Sequence, residues 1–382
     1  MAGPLAGIRV LELEAIGPAP FAGMLLADMG ADVLVIDRPA AGDLGLKRER
    51  RHDVMMRGKR SATLDLKTRN GSQVALDLIA RADILIEGFR PGVMERLGLG
   101  PDEALKRNPK LVYGRMTGWG QDGPMAPRAG HDINYIALAG ILHAIGRKGE
   151  APVPPLNLVG DFGGGGMLLA FGVACALIEA QRSARGQVVD AAMVEGASLL
   201  AAMFSGFLFT RDWSEERGVN ILDSGAPWYG VYETKDGKYV SIGAIEERFF
   251  AELLSRLKLE GKVPAQYDRG RWSQMRQAFA DTFRKKTRDE WCEVFEGSDA
   301  CFAPVLSWSE ARRDPHNVAR KGFIDLQGVP QPAPAPRFSR SAPAVRRPPP
   351  ERGEGGAQAL ADWGLTAQEV DRLASLGLGL RK

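Results

Sequence analysis

Histidine and cysteine are scarce: the 382-residue chain has four of the first and three of the second. Cys175, Cys292 and Cys301 are odd in number, far apart and mostly set in apolar runs. That excludes a disulfide framework, argues against structural zinc and points to a reducing compartment. No metal site is expected. An excess of one charge is also missing, since 50 basic residues stand among 47 acidic ones for a formal net charge of +3. With the two signs interspersed, nucleic acid is not the expected partner. Met1 to Val10 lacks the basic region and apolar run of a signal peptide, and Gly379-Leu380-Arg381-Lys382 is not a Ser-Lys-Leu type of address. Two apolar stretches, Met167 to Ala180 and Gly196 to Phe209, are too short to span a bilayer and read as buried helices, in a core or an intersubunit seam. A cytoplasmic protein with no membrane partner is expected.

What is present is the composition of a soluble enzyme, in a chain long enough for two cores. Ile8 to Leu13 reads as a strand, Pro18 to Met29 as a helix and Ala31 to Ile36 as a second strand, so the chain opens as a β-α-β unit. Ser61 to Leu66, Asp83 to Glu87 and Leu111 to Met116 continue as strands, with a helix over Gly71 to Arg81. The predicted class is α/β, a Rossmann-like large domain with a parallel sheet plus a smaller α+β domain. Its parts are residues 1–190 as the large domain, 191–224 as linker helices and 225–318 as the small domain. Residues 319–382 are a return segment and tail associated with the large domain. Within the small domain, two alternating runs around Lys235-Asp236-Gly237 signal a hairpin. Residues 328–350, rich in Pro, Ala and Arg, read as an extended surface connection, and Thr366 to Leu376 as a short amphipathic helix. The first turn, Leu13-Glu14-Ala15-Ile16-Gly17-Pro18, has no G-x-G-x-x-G, which disfavours a nicotinamide cofactor.

Few groups are left to carry chemistry. His131 lies in Gly130-His131-Asp132-Ile133-Asn134-Tyr135, ahead of an apolar helical pattern from Ile136 to Ile145. The cluster is consistent with a site at a helix start, while spacing alone favours a capping cluster with Asp132 as the cap and His131 beside it. Asp161 lies in Val159-Gly160-Asp161-Phe162-Gly163-Gly164-Gly165-Gly166. Four bare glycines would let a bulky ligand lie close to the backbone, with Asp161 at a strand or loop end facing it, although an N-cap is the alternative. The Asp-Phe-Gly triplet is not a kinase signature, because the other kinase motifs are missing. Glu246 follows an apolar strand and gains interest only as a carboxylate partner that would fix the tautomer of His131. Arg38 and Arg90 follow strand ends, where ligands bind in doubly wound sheets and where arginine suits adenine and phosphate.

Through Gly-Ala-Asp-Val-Leu-Val-Ile-Asp-Arg-Pro (30–39), Arg-Gly-Lys-Arg-Ser (57–61), Glu-Gly-Phe-Arg-Pro-Gly-Val-Met-Glu-Arg-Leu-Gly (87–98), Gly-His-Asp-Ile-Asn-Tyr (130–135) and Pro-Pro-Leu-Asn-Leu-Val-Gly-Asp-Phe-Gly-Gly-Gly (154–165), the chain resembles the family III CoA-transferase (CaiB/BaiF) superfamily. Within it the chain is similar to the α-methylacyl-CoA racemases, up to about residue 340. In the transferases an aspartate matching Asp132 carries the acyl group and is usually preceded by an aromatic residue. In the racemases a histidine, here His131, precedes it and works with the Asp-Phe-Gly aspartate. Asp132 is retained, so CoA transfer with Asp132 as nucleophile remains the alternative.

The resemblance implies a racemase interconverting (2R)- and (2S)-2-methylacyl-CoA, with His131, Asp161 and Glu246 as catalytic residues. Arg38, Leu64, Lys67, Gly88, Phe89, Arg90 and Arg96 are implied around CoA, and Gly130, Asp132 and Tyr135 near the thioester. Phe89 stands where a tyrosine can occur, removing one phenolic hydrogen bond. No cofactor is implied, because acyl-CoA is the substrate. The resemblance also implies an interlocked homodimer whose active sites are shared between subunits, Glu246 coming from the partner. Two bases on opposite faces of the α-carbon avoid turning the substrate over, one removing a proton while the other delivers one. N–H groups near residues 130–132 or 163–166 are the candidates for stabilising the enolate, at about 3 kcal/mol per well-placed donor.

Overall fold

Six strands, β1 (Arg9–Leu13), β2 (Asp32–Asp37), β3 (Arg60–Thr63), β4 (Ile84–Glu87), β5 (Val112–Thr117) and β6 (Gln187–Ala192), form one wholly parallel sheet in the order 3-2-1-4-5-6. The structure is a computed structural model describing residues 3–40, 42 and 49–381. It divides into two units, the first from residues 1–139, 155–201 and 323–382 and the second from 140–154 and 202–322. The parallel sheet belongs to the first. Along its strands alternate residues feed two separate cores: Leu11, Leu13, Leu34, Ile36, Leu85 and Tyr113 enter one, and Val10, Val33, Val35, Ile84, Ile86 and Val112 the other. A sheet covered on both faces needs near-continuous apolar strands, which is why β1, β2 and β4 were legible, while β3 and β5, also anticipated, carry more polar residues. β6 was not anticipated: at the sheet edge its exposed polar residues Gln187 and Asp190 flank and interrupt the apolar pairs Val188-Val189 and Ala191-Ala192.

Charged groups inside this sheet are paired. Lys59 and Glu12 are fully enclosed, and the lysine Nζ donates to both carboxylate oxygens, at 2.7 and 2.8 Å, and to the Pro20 carbonyl at 2.9 Å. Helix α1 (Pro18–Asp28) lies so close over the pair that a Cβ at Gly23 would fall 1.8 Å from a Glu12 oxygen. Burial pushes the Glu12 carboxyl up to about 7 and the Lys59 ammonium down, each against the attraction of the other. On the next helix, α2 (Arg69–Ile79), Thr68 caps the start by accepting from the Gly71 N–H at 2.9 Å.

The middle of the chain differs from expectation in three ways. The pattern from Ile136 to Ile145 is broken into α3 (Asp132–Leu138) and a single turn, Ile141–Ala144, by Gly140 at φ 79°. Leu158–Met167 is a wide π-helix running on into α4 (Leu168–Ser183), 26 residues in all. The apolar helix therefore begins well before Met167 and is long enough by length and composition to cross a membrane. One face, including Leu169, Val173 and Leu177, is buried on the sheet, whereas Met167, Phe171 and Ile178 are exposed. The pattern from Gly196 to Phe209 also divides, into α5 (Met193–Leu200) and Ala202–Thr210.

The chain after residue 322 belongs to the first unit. It begins with a hairpin, Phe323–Leu326 and Val329–Pro332, whose two turn residues Gln327 and Gly328 have φ of 53° and 79°. The segment expected to be extended thus starts as a strand. The tail past residue 350 carries Ala359, Leu360, Trp363, Leu373 and Leu378 into the core beneath β1 to β3. It also covers the edge strand β3, where Ser61 donates to the Glu354 carbonyl at 2.9 Å and its Oγ accepts from the Gly353 N–H at 2.8 Å. The helix Ala367–Ser375 agrees with the one predicted there.

The second unit has a three-stranded antiparallel sheet, Tyr229–Glu233, Tyr239–Gly243 and Phe302–Pro304, with the predicted hairpin turn at Lys235-Asp236-Gly237. Helices Glu247–Leu257, Trp272–Phe283 and Arg288–Phe295 accompany it, around an aromatic core of Trp228, Tyr232, Phe279, Phe283 and Trp291.

Lys59→Met leaves Glu12 enclosed without its partner and is expected to destabilise the fold by about 3–5 kcal/mol. Adding Glu12→Leu is expected to recover most of that loss, as read from urea denaturation of the parent, single and double variants.

Candidate active site

In a 3-2-1-4-5-6 sheet the connections leaving β1 and β4 diverge to opposite faces, opening a crevice beyond the carboxyl ends of those strands. A cavity of 1380 Å³ lies there, lined by Glu14 to Pro18 after β1, Gly88 to Pro91 after β4 and Thr117 to Trp119 at the end of β5. His131, Tyr135, Asn157, Asp161 and Arg352 also line it. All of these residues belong to the first unit.

His131 occupies the residue before α3, in extended backbone at φ −133° and ψ 173°. Its N–H donates to Asn134 Oδ1 at 3.0 Å and its carbonyl accepts from the Asn134 N–H at 2.8 Å, so the peptide, not the imidazole, carries these bonds. Asp132 is therefore not the cap but the first helical residue. Its side chain is buried at 5% exposure and stands outside the cavity lining among the described residues. Asp132 Oδ1 accepts from the Asp161 N–H at 2.7 Å, while Oδ2 is buried with no hydrogen-bond partner among the described residues.

Asp161 sits inside the π-helix rather than at a strand or loop end. Asn157, four residues earlier, donates to its Oδ2 at 2.9 Å. Opposite, Gly17 at φ 66° leaves room, since a Cβ there would come 3.4 Å from the same oxygen. Burial, joined by the charge of Asp132 and opposed by Asn157 and His131, raises the Asp161 carboxyl above its ordinary value. The following glycines do not face a ligand. A Cβ on Gly164 would meet the Gly196 backbone at 2.8 Å, and one on Gly166 the Pro18 carbonyl at 2.8 Å, so their bareness serves helix packing against α5 and α1. Their N–H groups lie in the turns of the π-helix, which binds them internally and takes them from the enolate role expected of them.

Of the other residues singled out, Gly88, Phe89, Arg90, Gly130 and Tyr135 line the cavity. The Tyr135 hydroxyl donates to the Gly130 carbonyl, and burial, with the Asp161 charge adding, pushes its phenol up to about 12. Beneath Phe89, Glu87 is pushed up to about 7 by burial and accepts from the Phe89 N–H at 2.7 Å and from Arg115 at 2.9 Å. Among the described residues Arg38, Leu64, Lys67 and Arg96 stand outside the lining: Leu64 is in the core, and the other three are exposed. Glu246 belongs to the second unit, exposed at the residue before Glu247–Leu257, where its side chain makes no capping hydrogen bond.

Two contributors escaped the sequence. Arg352 binds Glu14 through both terminal nitrogens and donates to the Arg38 carbonyl at 2.9 Å, while Glu14 accepts from the Arg38 N–H at 2.8 Å. Burial alone would raise Glu14, but the bonds from Arg352 and the Arg38 amide outweigh it and hold the carboxyl below its ordinary value. No local signal links positions 338 residues apart. Asn157 had one, the i, i+4 spacing to Asp161, visible only once the segment is taken as helix.

Residues 5–355 match CoA-transferase family III. The chain belongs to that family. Alpha-methylacyl-CoA racemase from Mus musculus is 47% identical over 379 residues, covering 97% of this chain and 96% of the mouse protein. Its Homo sapiens counterpart is 43% identical over 377 residues, with the same two coverages of 97% and 96%. The crystal structure of a CAIB/BAIF family protein from Brucella suis aligns at a TM-score of 0.81 and 26% identity, covering 95% of this chain and 100% of that one. The α/β fold with its parallel sheet is therefore the family III fold.

Because the folded protein holds the Asp161 proton more tightly than the unfolded chain does, ionising this group lowers stability as pH rises from the ordinary carboxylate range through the raised value. Asp161→Asn is expected to melt above the parent at neutral pH, the gap closing below about pH 4, where both are uncharged at this position. Melting temperatures across that pH range test this, and an Asn variant that melts lower at neutral pH would contradict it.

Proposed function

We propose that this family III protein is a racemase that interconverts (2R)- and (2S)-2-methylacyl-CoA thioesters by proton transfer through an enolate, with His131 and Asp161 as the two bases. The observation that carries the reading is their convergence: an imidazole and a carboxyl of raised proton affinity open onto one cavity at the switch point of the sheet. The two racemases of mouse and human, matched over nearly the whole chain, support the same reaction.

A proton α to a thioester is a very weak acid, so removal requires a base held close and a partner already protonated across the carbon. A carboxyl that keeps its proton to higher pH suits that second role. Neutral His131 with protonated Asp161 serves one enantiomer, and the charges exchanged serve the other. The scheme needs no cofactor. The cavity exceeds the roughly 300–1,000 Å³ of common small-ligand sites, which suits a ligand as large as a CoA ester. In this reading Arg90, Phe89 and Gly88 lie along the CoA moiety, with Arg38, Leu64, Lys67 and Arg96 farther along it, and Gly130 and Tyr135 lie near the thioester.

The same proposal makes the protein a cytoplasmic homodimer in fatty acid metabolism, each site completed by Glu246 of the partner subunit. The exposed apolar side chains Met167 at the end of the π-helix, Phe171 and Ile178 on α4, and Leu199 and Leu200 on α5 support a covered surface there. Among the described residues the exposed Glu246 side chain makes no capping hydrogen bond, which suits a carboxylate that accepts from an imidazole.

In deuterated water the protein is expected to incorporate deuterium at C2 of one 2-methylacyl-CoA enantiomer while the centre scrambles, without any acceptor acid. His131→Ala and Asp161→Ala are each expected to lose on the order of 10²–10⁴ in rate. Racemised product that keeps its protium overturns the exchange scheme, and CoA transfer that strictly requires a free carboxylic acid favours Asp132 as an acyl carrier. For the shared site, co-expression of His131→Ala with Glu246→Ala is expected to restore activity that neither variant has alone.

A further inference from the structure

We infer that Asp132 is a positioning residue for Asp161: it fixes the backbone of the proton-exchanging carboxyl and faces it with a negative charge, and it takes no covalent part in the reaction. The inference rests on the reading of Asp161 as a proton-exchanging base.

Asp161 is the fourth residue of the π-helix, so its N–H lies in the first turn, where a helix has no internal acceptor to offer. Asp132 Oδ1 supplies that acceptor at 2.7 Å from another helix. Gly160 makes the approach possible, because a Cβ there would come 2.5 Å from the same Oδ1. This single bond links the start of α3, next to His131, to the turn carrying Asp161, and so sets the spacing of the two proposed bases.

The second oxygen points to electrostatics. Asp132 Oδ2 is buried with no hydrogen-bond partner among the described residues, so little disperses the charge of the carboxylate. The charged groups acting on Asp161 are Asp132, which raises its proton affinity, and His131, which opposes. Asn157, the residue before its own helix, also opposes, and α1 brings an apolar contact, Phe21 against Phe162 with ring centroids 4.9 Å apart. An acyl-carrying nucleophile, by contrast, must expose an oxygen to the substrate. Asp132 has one oxygen engaged, the other enclosed, and no place on the cavity wall among the described residues.

The test follows C2 deuterium exchange of a 2-methylacyl-CoA against pH for the wild type, Asp132→Asn and Asp132→Ala, with circular dichroism to confirm folding. Asp132→Asn keeps an oxygen that accepts but loses the charge. It is expected to retain exchange within about tenfold, with the ionisation that Asp161→Asn abolishes moved to lower pH. Asp132→Ala loses the acceptor and is expected to drop kcat about a hundredfold with KM little changed, the size of effect a misplaced base produces. Wild-type protein incubated with acyl-CoA and hydroxylamine is expected to form no hydroxamate at Asp132. An Asp132→Asn variant with an unmoved pH profile overturns the inference while leaving the racemase reading intact, as does a hydroxamate at Asp132. Absence of exchange in the wild type overturns both.

Discussion

A parallel sheet covered on both faces has no room for unpaired charge, and the rest of the structure follows from how this one meets that constraint. Its central strands β1, β2 and β4 are apolar along most of their length, and charges within the strands or at their ends are paired: Glu12 with Lys59, Glu87 with Arg115, and Asp37 with Arg50. These pairs are scaffolding for the loops that follow. Glu87 holds the Phe89 amide and Glu14 the Arg38 amide, so the turns at the carboxyl ends of β4 and β2 are shaped by carboxylates anchored at the strands themselves. The cavity is the gap those loops leave.

Close backbone approach is the second device. Gly17, Gly160 and Gly164 to Gly166 remove side chains where α1, α3 and α5 meet the π-helix, so that helix can lie against three neighbours at once. Extra backbone per turn, which a π-helix provides, commonly accompanies functional sites. Here it brings Asp161 to the cavity wall while its amide reaches back to Asp132. The Asp161 carboxyl meets partial enclosure, a neighbouring negative charge and, among the described residues, one amide donor, and its proton affinity rises accordingly.

Legibility tracked how local each cause was. Strands such as β1, β2 and β4 were readable because burial on two sides writes continuous apolar runs into the sequence, whereas in β6 the exposed Gln187 and Asp190 flank and interrupt the pairs Val188-Val189 and Ala191-Ala192. The glycines at 163–166 were seen but misassigned, since a bare backbone accommodates a neighbouring helix as readily as a ligand. Asp132 was read as a cap or a nucleophile because its neighbours in sequence are helix-start residues. Its actual partner is the amide of Asp161, 29 residues on.

The sequence by itself determined the α/β class, the exclusion of a dinucleotide fingerprint, the family and the two residues, His131 and Asp161, that meet at the cavity. Those are properties of short segments: periodicity, turn chemistry and motif. Only the tertiary structure decided that Asp161 lies within a helix, that Asp132 faces it and not the cavity, and that Arg352 from the tail closes the wall beside Glu14. Each of those depends on which distant segment arrives at a given surface. Packing settles that through shape and through the need to pair every buried charge, and no stretch of chain records it alone.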